Sequence, residues 1–304
     1  MARAARRAAS AWLAPILIPI LTLALAGCSD APGEGQDSGP PSPLFYEIAS
    51  ADGAVEGWMV GTIHALPDGT LWRTPEITAA TEDADLLMVE IAELGGKSTL
   101  PSLFAQLATT PGQPPLDRRI PPDLAPALDD LLDRGGLDPA QFASIETWAA
   151  ALTLAQVPAE GDPANGVDRA LIADFAGRPV REFEGARVQL SIFDRLPEDD
   201  QRALLAAVVR DAGDASAQAA KLRRAWRSGD AATIEEASHT GILADPDLRT
   251  ALLTARNRQW VAKLVPLLKG EARPLIAVGA AHLVGPEGLA SLLQAQGYRV
   301  RRLP

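Results

Sequence analysis

At 304 residues, 47% of them hydrophobic, the chain can form one large domain or two small ones with a sizeable core. Its 28 basic and 39 acidic residues give a net charge of −11, which argues against a nucleic-acid partner, since phosphate binding needs a basic face, and against docking of the folded surface onto anionic lipid. A single cysteine excludes an internal disulfide and cysteine-based zinc sites, so a metal would fall to His, Asp or Glu.

Residues 1–27 read as a targeting segment. Arg3, Arg6 and Arg7 precede an apolar run over 11–26 that is short for a bilayer span, and the run ends in Leu-Ala-Gly before Cys28. That pattern resembles a bacterial lipoprotein signal, in which Cys28 is lipidated and becomes the mature N-terminus. Acyl chains there would hold the protein on a membrane. Ser29, by analogy with other lipoproteins, favours the outer membrane, facing the periplasm; Asp30 pulls the other way. Residues 28–43, rich in Gly, Pro, Ser and Asp, read as a flexible tether.

The folded part is expected over 44–304. Strands are predicted at 44–49 and 55–62, joined by a hairpin at Asp52-Gly53. Thr74-Pro75 caps and opens a helix to about 83, and 85–91 is a buried strand with Glu90 near its end. Strand, helix and strand form a βαβ unit, which favours a parallel pair and sets Glu90 and His64 at one sheet edge. A helical insertion covers about 98–165, with one helix ending at Gly135-Gly136 and another running over 139–157. Asp168 lies in the first turn of the next helix, and Glu184 ends a short strand at 180–183. Helices fill 194–268, the last carrying Arg256, Asn257 and Trp260. A strand at 274–279, a helix from about 285 to 296 and a strand at 298–301 close the chain.

Two segments share one frame. Val60-Gly61-Thr62-Ile63-His64 and Val278-Gly279-Ala280-Ala281-His282 are apolar runs ending in G-x-x-H, and they hold two of only three histidines. Each reads as a buried strand whose glycine admits a close neighbour and whose histidine stands past the carboxyl end, where open α/β sheets bind ligands. Paired histidines there are candidate metal ligands or bases; otherwise they close two unrelated strands. Glu90 either ligates a metal, deprotonates a metal-bound water, or pairs with an arginine. Arg256 and Asn257 either balance an oxyanion or line a solvated helix face. Asp168 and Glu184 are secondary candidates, and a helix-start aspartate commonly serves as a first-turn charge. His239 reads as structural or exposed. No G-x-S-x-G elbow, Walker loop, H-E-x-x-H or dinucleotide fingerprint is present.

The segments VGTIHALP, LLMVEI, NGVDRALIADFAGRPVREFEGARVQL, RNRQW and AVGAAHLVGPEGLASLLQAQGYRV stand in the order of the TraB/GumN family, which is related to the Tiki proteins; the chain resembles that family over about 44–304. The resemblance implies an α/β fold similar to erythromycin-esterase and ChaN-like proteins: a central mixed, largely parallel sheet flanked by helices. It also implies a metal-dependent hydrolase, a peptidase by analogy with the Tiki branch. His64, His282 and Glu90 would hold a divalent metal, manganese or cobalt by preference and zinc or iron otherwise. Arg256 and Asn257 match the family's R-N pair, and Glu184 its glutamate after a short strand. The expected substrate is a peptide or other small acyl compound. The alternative is a surface lipoprotein that binds metal or haem without turnover.

Overall fold

The computed structural model describes residues 39–93 and 99–304. The targeting segment, Cys28 and most of the tether lie outside them, as does the start of the expected helical insertion. No helix among the described residues is long and apolar enough to cross a membrane.

The first hairpin forms as its turn chemistry dictates. Strands β1 (Phe45–Ala49) and β2 (Val55–Thr62) pair antiparallel, Phe45 opposite Val60. Gly53 adopts φ 95, which a side chain would resist, and Ser50 donates to Asp52 at 2.5 Å. Helix α1 (Pro75–Asp83) starts where Thr74 accepts from the Ile77 N–H at 3.2 Å, with Pro75 at the first position. Strand β3 (Leu86–Val89) is buried throughout.

Helices α2 (Leu100–Ala108), α3 (Ala125–Gly135) and α4 (Thr147–Leu154) follow. The helix expected over 139–157 is broken: a 3₁₀ segment, Pro139–Ser144, precedes α4, and between them Ile145 is extended and bridges to Thr109. Arg119 explains the break. It is fully buried, and its guanidinium donates to the carbonyls of Pro114 (2.7 Å), Ile145 (2.7 Å) and Phe142 (2.8 Å). The last two are carbonyls a continuous helix would have used itself.

Then come α5 (Val167–Asp174), β4 (Val180–Glu182), α6 (Ala186–Asp194), α7 (Glu198–Asp211), α8 (Ala215–Ser228) and α9 (Ala231–Ala237). A final helical run joins α10 (Pro246–Arg249), a π-helical turn (Thr250–Thr254) and α11 (Ala255–Leu268). Strand β5 (Pro274–Gly279), helix α12 (Leu289–Ala295) and strand β6 (Arg299–Leu303) end the chain.

The six strands form one sheet in the order β4-β3-β5-β2-β1-β6. β4, β3, β5 and β2 run parallel, and β1 is antiparallel to both of its neighbours. The fold is α/β with a mixed, mostly parallel sheet, as the resemblance implies. One expected pairing differs: β2 and β3 do not touch, because β5 lies between them. Its six residues, PLIAVG, are all buried, so this near-continuous apolar strand suits the centre of a sheet covered on both faces. β5, itself the second G-x-x-H strand, thus pairs directly with the first, β2, with Thr62 opposite Gly279.

A second apolar core lies away from the sheet. Trp148 is fully buried at its centre, edge-on to Phe104 (5.4 Å) and stacked with Phe193 (6.4 Å). It draws on residues 103–154 but also on Leu190, Leu205, Val209, Leu248 and Leu252. The helical part therefore reaches well beyond the expected 98–165, because α6, α7 and α10 supply its other half.

Candidate functional site

Four parallel strands end at one edge, and each is followed by a polar residue: Glu184 after β4, Glu90 after β3, His282 after β5 and His64 after β2. This is the carboxyl edge at which open α/β sheets bind ligands.

The local backbone explains how they converge. At Gly166 a Cβ would stand 2.3 Å from the His64 carbonyl oxygen, and the Val167 N–H donates to the Ile63 carbonyl at 3.0 Å. Only glycine lets α5 start this close to the β2 exit. Two residues on, Asp168 reaches His64 Nδ1 at 2.6 Å, and Thr62 donates to its other oxygen at 2.7 Å. At the second motif the Gly279 N–H donates to Glu90 Oε1 at 2.9 Å. Gly61 also packs closely, where a Cβ would stand 3.1 Å from Ala280.

Arg256 sits in the middle. Its Nη2 donates to Glu90 Oε2 at 2.8 Å, its Nε to both Glu184 oxygens at 3.2 and 3.0 Å, and its Nη1 to the Leu252 carbonyl at 2.9 Å. Nη1 also lies 3.3 Å from His282 Nε2. The Leu252 carbonyl belongs to the π-helical turn directly before α11. Asn257 donates to the Glu287 carbonyl at 2.8 Å, which turns its Oδ1 toward His282 Nδ1, 2.6 Å away. His282 is thereby assigned its proton on Nδ1 and presents the Nε2 lone pair to the guanidinium. Trp260 lies 4.4 Å from the His282 ring and donates to Glu184 at 2.8 Å.

The two histidines differ sharply in charge. Burial by itself would lower the His64 pKa, but the charge and hydrogen bond of Asp168, helped by Glu90, raise it to about 9. His282 is wholly buried, and burial, reinforced by Arg256 against the pull of Glu90, lowers it to about 3. Burial would raise Glu90, yet Arg256 above all holds it down at about 2. At neutral pH the site therefore contains a His64 imidazolium, a neutral His282 and an ionised Glu90. The His64 side chain is 18% exposed, and its Nε2 has no hydrogen-bond partner among the described residues.

A profile of the TraB/PrgY/gumN family matches residues 44–302. The chain belongs to this family. No curated protein and no solved structure matches it.

In this family member, the expected site residues His64, Glu90, Glu184, Arg256, Asn257 and His282 lie together, and Asp168, which does stand in the first turn of α5, joins them through His64. Arg256 donates to Glu90, Glu184 and the Leu252 carbonyl, and Asn257 donates to the Glu287 carbonyl, so both hold Glu90, Glu184 and His282 in place. His239 is exposed and meets Arg249. Sequence reasoning passed over two participants, Thr62 and Gln189, whose Nε2 donates to Glu90 Oε2 at 2.9 Å. Thr62 lies inside the first motif, where its hydroxyl could have been noticed; nothing in the pattern marks Gln189.

The residues do not fit a divalent metal as the resemblance implies. The His282 lone pair and one Glu90 oxygen already face a guanidinium, and a cation among them would stand against Arg256.

Proposed function

We propose that this TraB/PrgY/gumN protein is a hydrolase of acyl bonds, a peptidase by preference, with its site at the carboxyl edge of the sheet. The observation that carries the reading is the His64–Asp168 pair: a 2.6 Å contact that fixes the ring, with the side chain 18% exposed and Nε2 without a hydrogen-bond partner among the described residues. As an imidazolium, His64 donates the Nε2 proton to the carbonyl oxygen or the leaving group of a bound substrate. Asp168, anchored by Thr62, keeps the ring oriented and its charge favourable. Glu90 Oε1 accepts the Gly279 N–H and keeps a second lone pair for the proton of an attacking water. Arg256 keeps Glu90 ionised and fixes its orientation, while lowering its basicity. Two titratable groups pushed apart by their surroundings are the signature of an acid and base assignment.

The same proposal places the protein at the cell envelope, held by lipid on Cys28 and facing the periplasm. Support for that placement comes from the sequence.

The test is turnover. The detergent-solubilised full chain is offered a panel of peptides and chromogenic esters beside His64→Ala, Asp168→Asn and Glu90→Gln. The proposal expects hydrolysis that all three variants reduce at least about a hundredfold, the usual scale of a lost acid or base. No turnover by a folded wild type on any substrate, or turnover that survives His64→Ala, sinks it and leaves a binding lipoprotein.

A further inference from the structure

The guanidinium of Arg256 is enclosed by acceptors on every side. Glu90 Oε2, both Glu184 oxygens, the Leu252 carbonyl and His282 Nε2 stand 2.8–3.3 Å from its three nitrogens, and the side chain is 2% exposed. Oxygen and imidazole donors converging on one point are the kind of shell that hard and borderline divalent cations take. Here that point is already filled by a cation supplied by the chain itself. The guanidinium's flat fork matches the shell: one edge meets Glu184, another Glu90, and Nη1 lies between the helix carbonyl and His282. Trp260 covers it, with the guanidinium carbon 4.6 Å from the ring centre.

We infer that Arg256 is the resident cation of this centre, that the wild-type site holds no divalent metal, and that removing the guanidinium uncovers a divalent-cation site built from Glu90, Glu184, His282 and the Leu252 carbonyl. The inference concerns the site of the proposed hydrolase but does not rest on turnover. The physical reason is charge balance. Two buried carboxylates need a compensating cation, and without Arg256 they must protonate, unfold the site or recruit one. Metal–ligand bonds of about 2.0–2.3 Å are shorter than the present contacts, so water would complete the shell around a recruited ion.

The experiment compares the full chain in detergent with Arg256→Ala and Arg256→Gln. Each is equilibrated with manganese, cobalt or zinc, freed of excess ion, and assayed for bound metal by mass spectrometry and for its melting temperature. The wild type should retain well under one equivalent and show no metal-dependent shift. The two variants should retain close to one equivalent, and their Tm should rise by roughly 2–3 °C for each tenfold excess of metal over the dissociation constant. Near-stoichiometric metal in the wild type, lost in His64→Ala or His282→Ala, overturns the inference. So do folded variants that take up no metal. Should both variants fail to fold, Arg256→Lys keeps the charge and must stay metal-free as the wild type does; uptake by Arg256→Lys overturns the inference. Metal uptake is read without a substrate, so its failure is distinct from failure of the hydrolase proposal.

Discussion

Replacing Asp168 by Asn removes the charge that holds His64 protonated. The difference between a folded pKa of about 9 and the ordinary 6.5 corresponds to roughly 3 kcal/mol, an upper figure for what the imidazolium contributes to stability. The folded pKa lies above the unfolded one, so the native state binds the extra proton. The contribution is therefore fully present below about pH 6.5 and is lost as pH rises through about 9. Asp168→Asn should cost up to about 3 kcal/mol near pH 6 and little near pH 10, where the wild type itself keeps a buried carboxylate beside a neutral ring. Urea unfolding of wild type and variant at both pH values gives the four numbers, and the difference between the two proteins cancels groups that titrate alike in both. With only three histidines in the chain, NMR titration of the ring protons reads His64 directly, with His64→Ala for assignment. In the variant its midpoint should fall by at least one unit, and the alkaline limb of any pH–rate profile should move with it. A mutational cost that is the same at both pH values, or a wild-type His64 that titrates at or below 6.5, would refute the reasoning.

Gly166→Ala forces a Cβ to within 2.3 Å of the His64 carbonyl; it should cost roughly 1–3 kcal/mol in urea unfolding and lower the NMR midpoint of His64 by moving Asp168. Gln189→Ala strips a donor from a buried carboxylate, and a loss of roughly 1.5–3 kcal/mol is expected by calorimetry, with turnover falling alongside. Arg119→Leu leaves the Pro114, Phe142 and Ile145 carbonyls without their partner, so thermal unfolding should reveal a loss of about 3 kcal/mol or more while His64 titrates as before; a loss under about 1 kcal/mol would show that water replaces the guanidinium. Cys28→Ser should abolish palmitate labelling and release the protein from the membrane fraction.

Most of the strands and the placement of the site at one sheet edge were legible because they depend on local pattern. The hairpin turn at Asp52-Gly53, the Thr74-Pro75 helix start and the apolar runs ending in His64, Glu90 and His282 each carry their own signal within a few residues. The broken helix at Ile145 was not legible, since its cause is a guanidinium more than 20 residues away. Nor was the true extent of the second core, because apolar periodicity identifies a buried face without naming what buries it.

By itself, then, the sequence determined the family, the strand ends that carry the site, and which charged residues stand near a sheet edge. Only the tertiary structure decided what those residues do. It brought Asp168 to His64 and Arg256 among Glu90, Glu184 and His282, and so made one histidine a cation and the other neutral. The physical reason is that the charge of a buried group is set by its nearest partners and its access to water. Here those partners come from segments 26 to 166 residues apart.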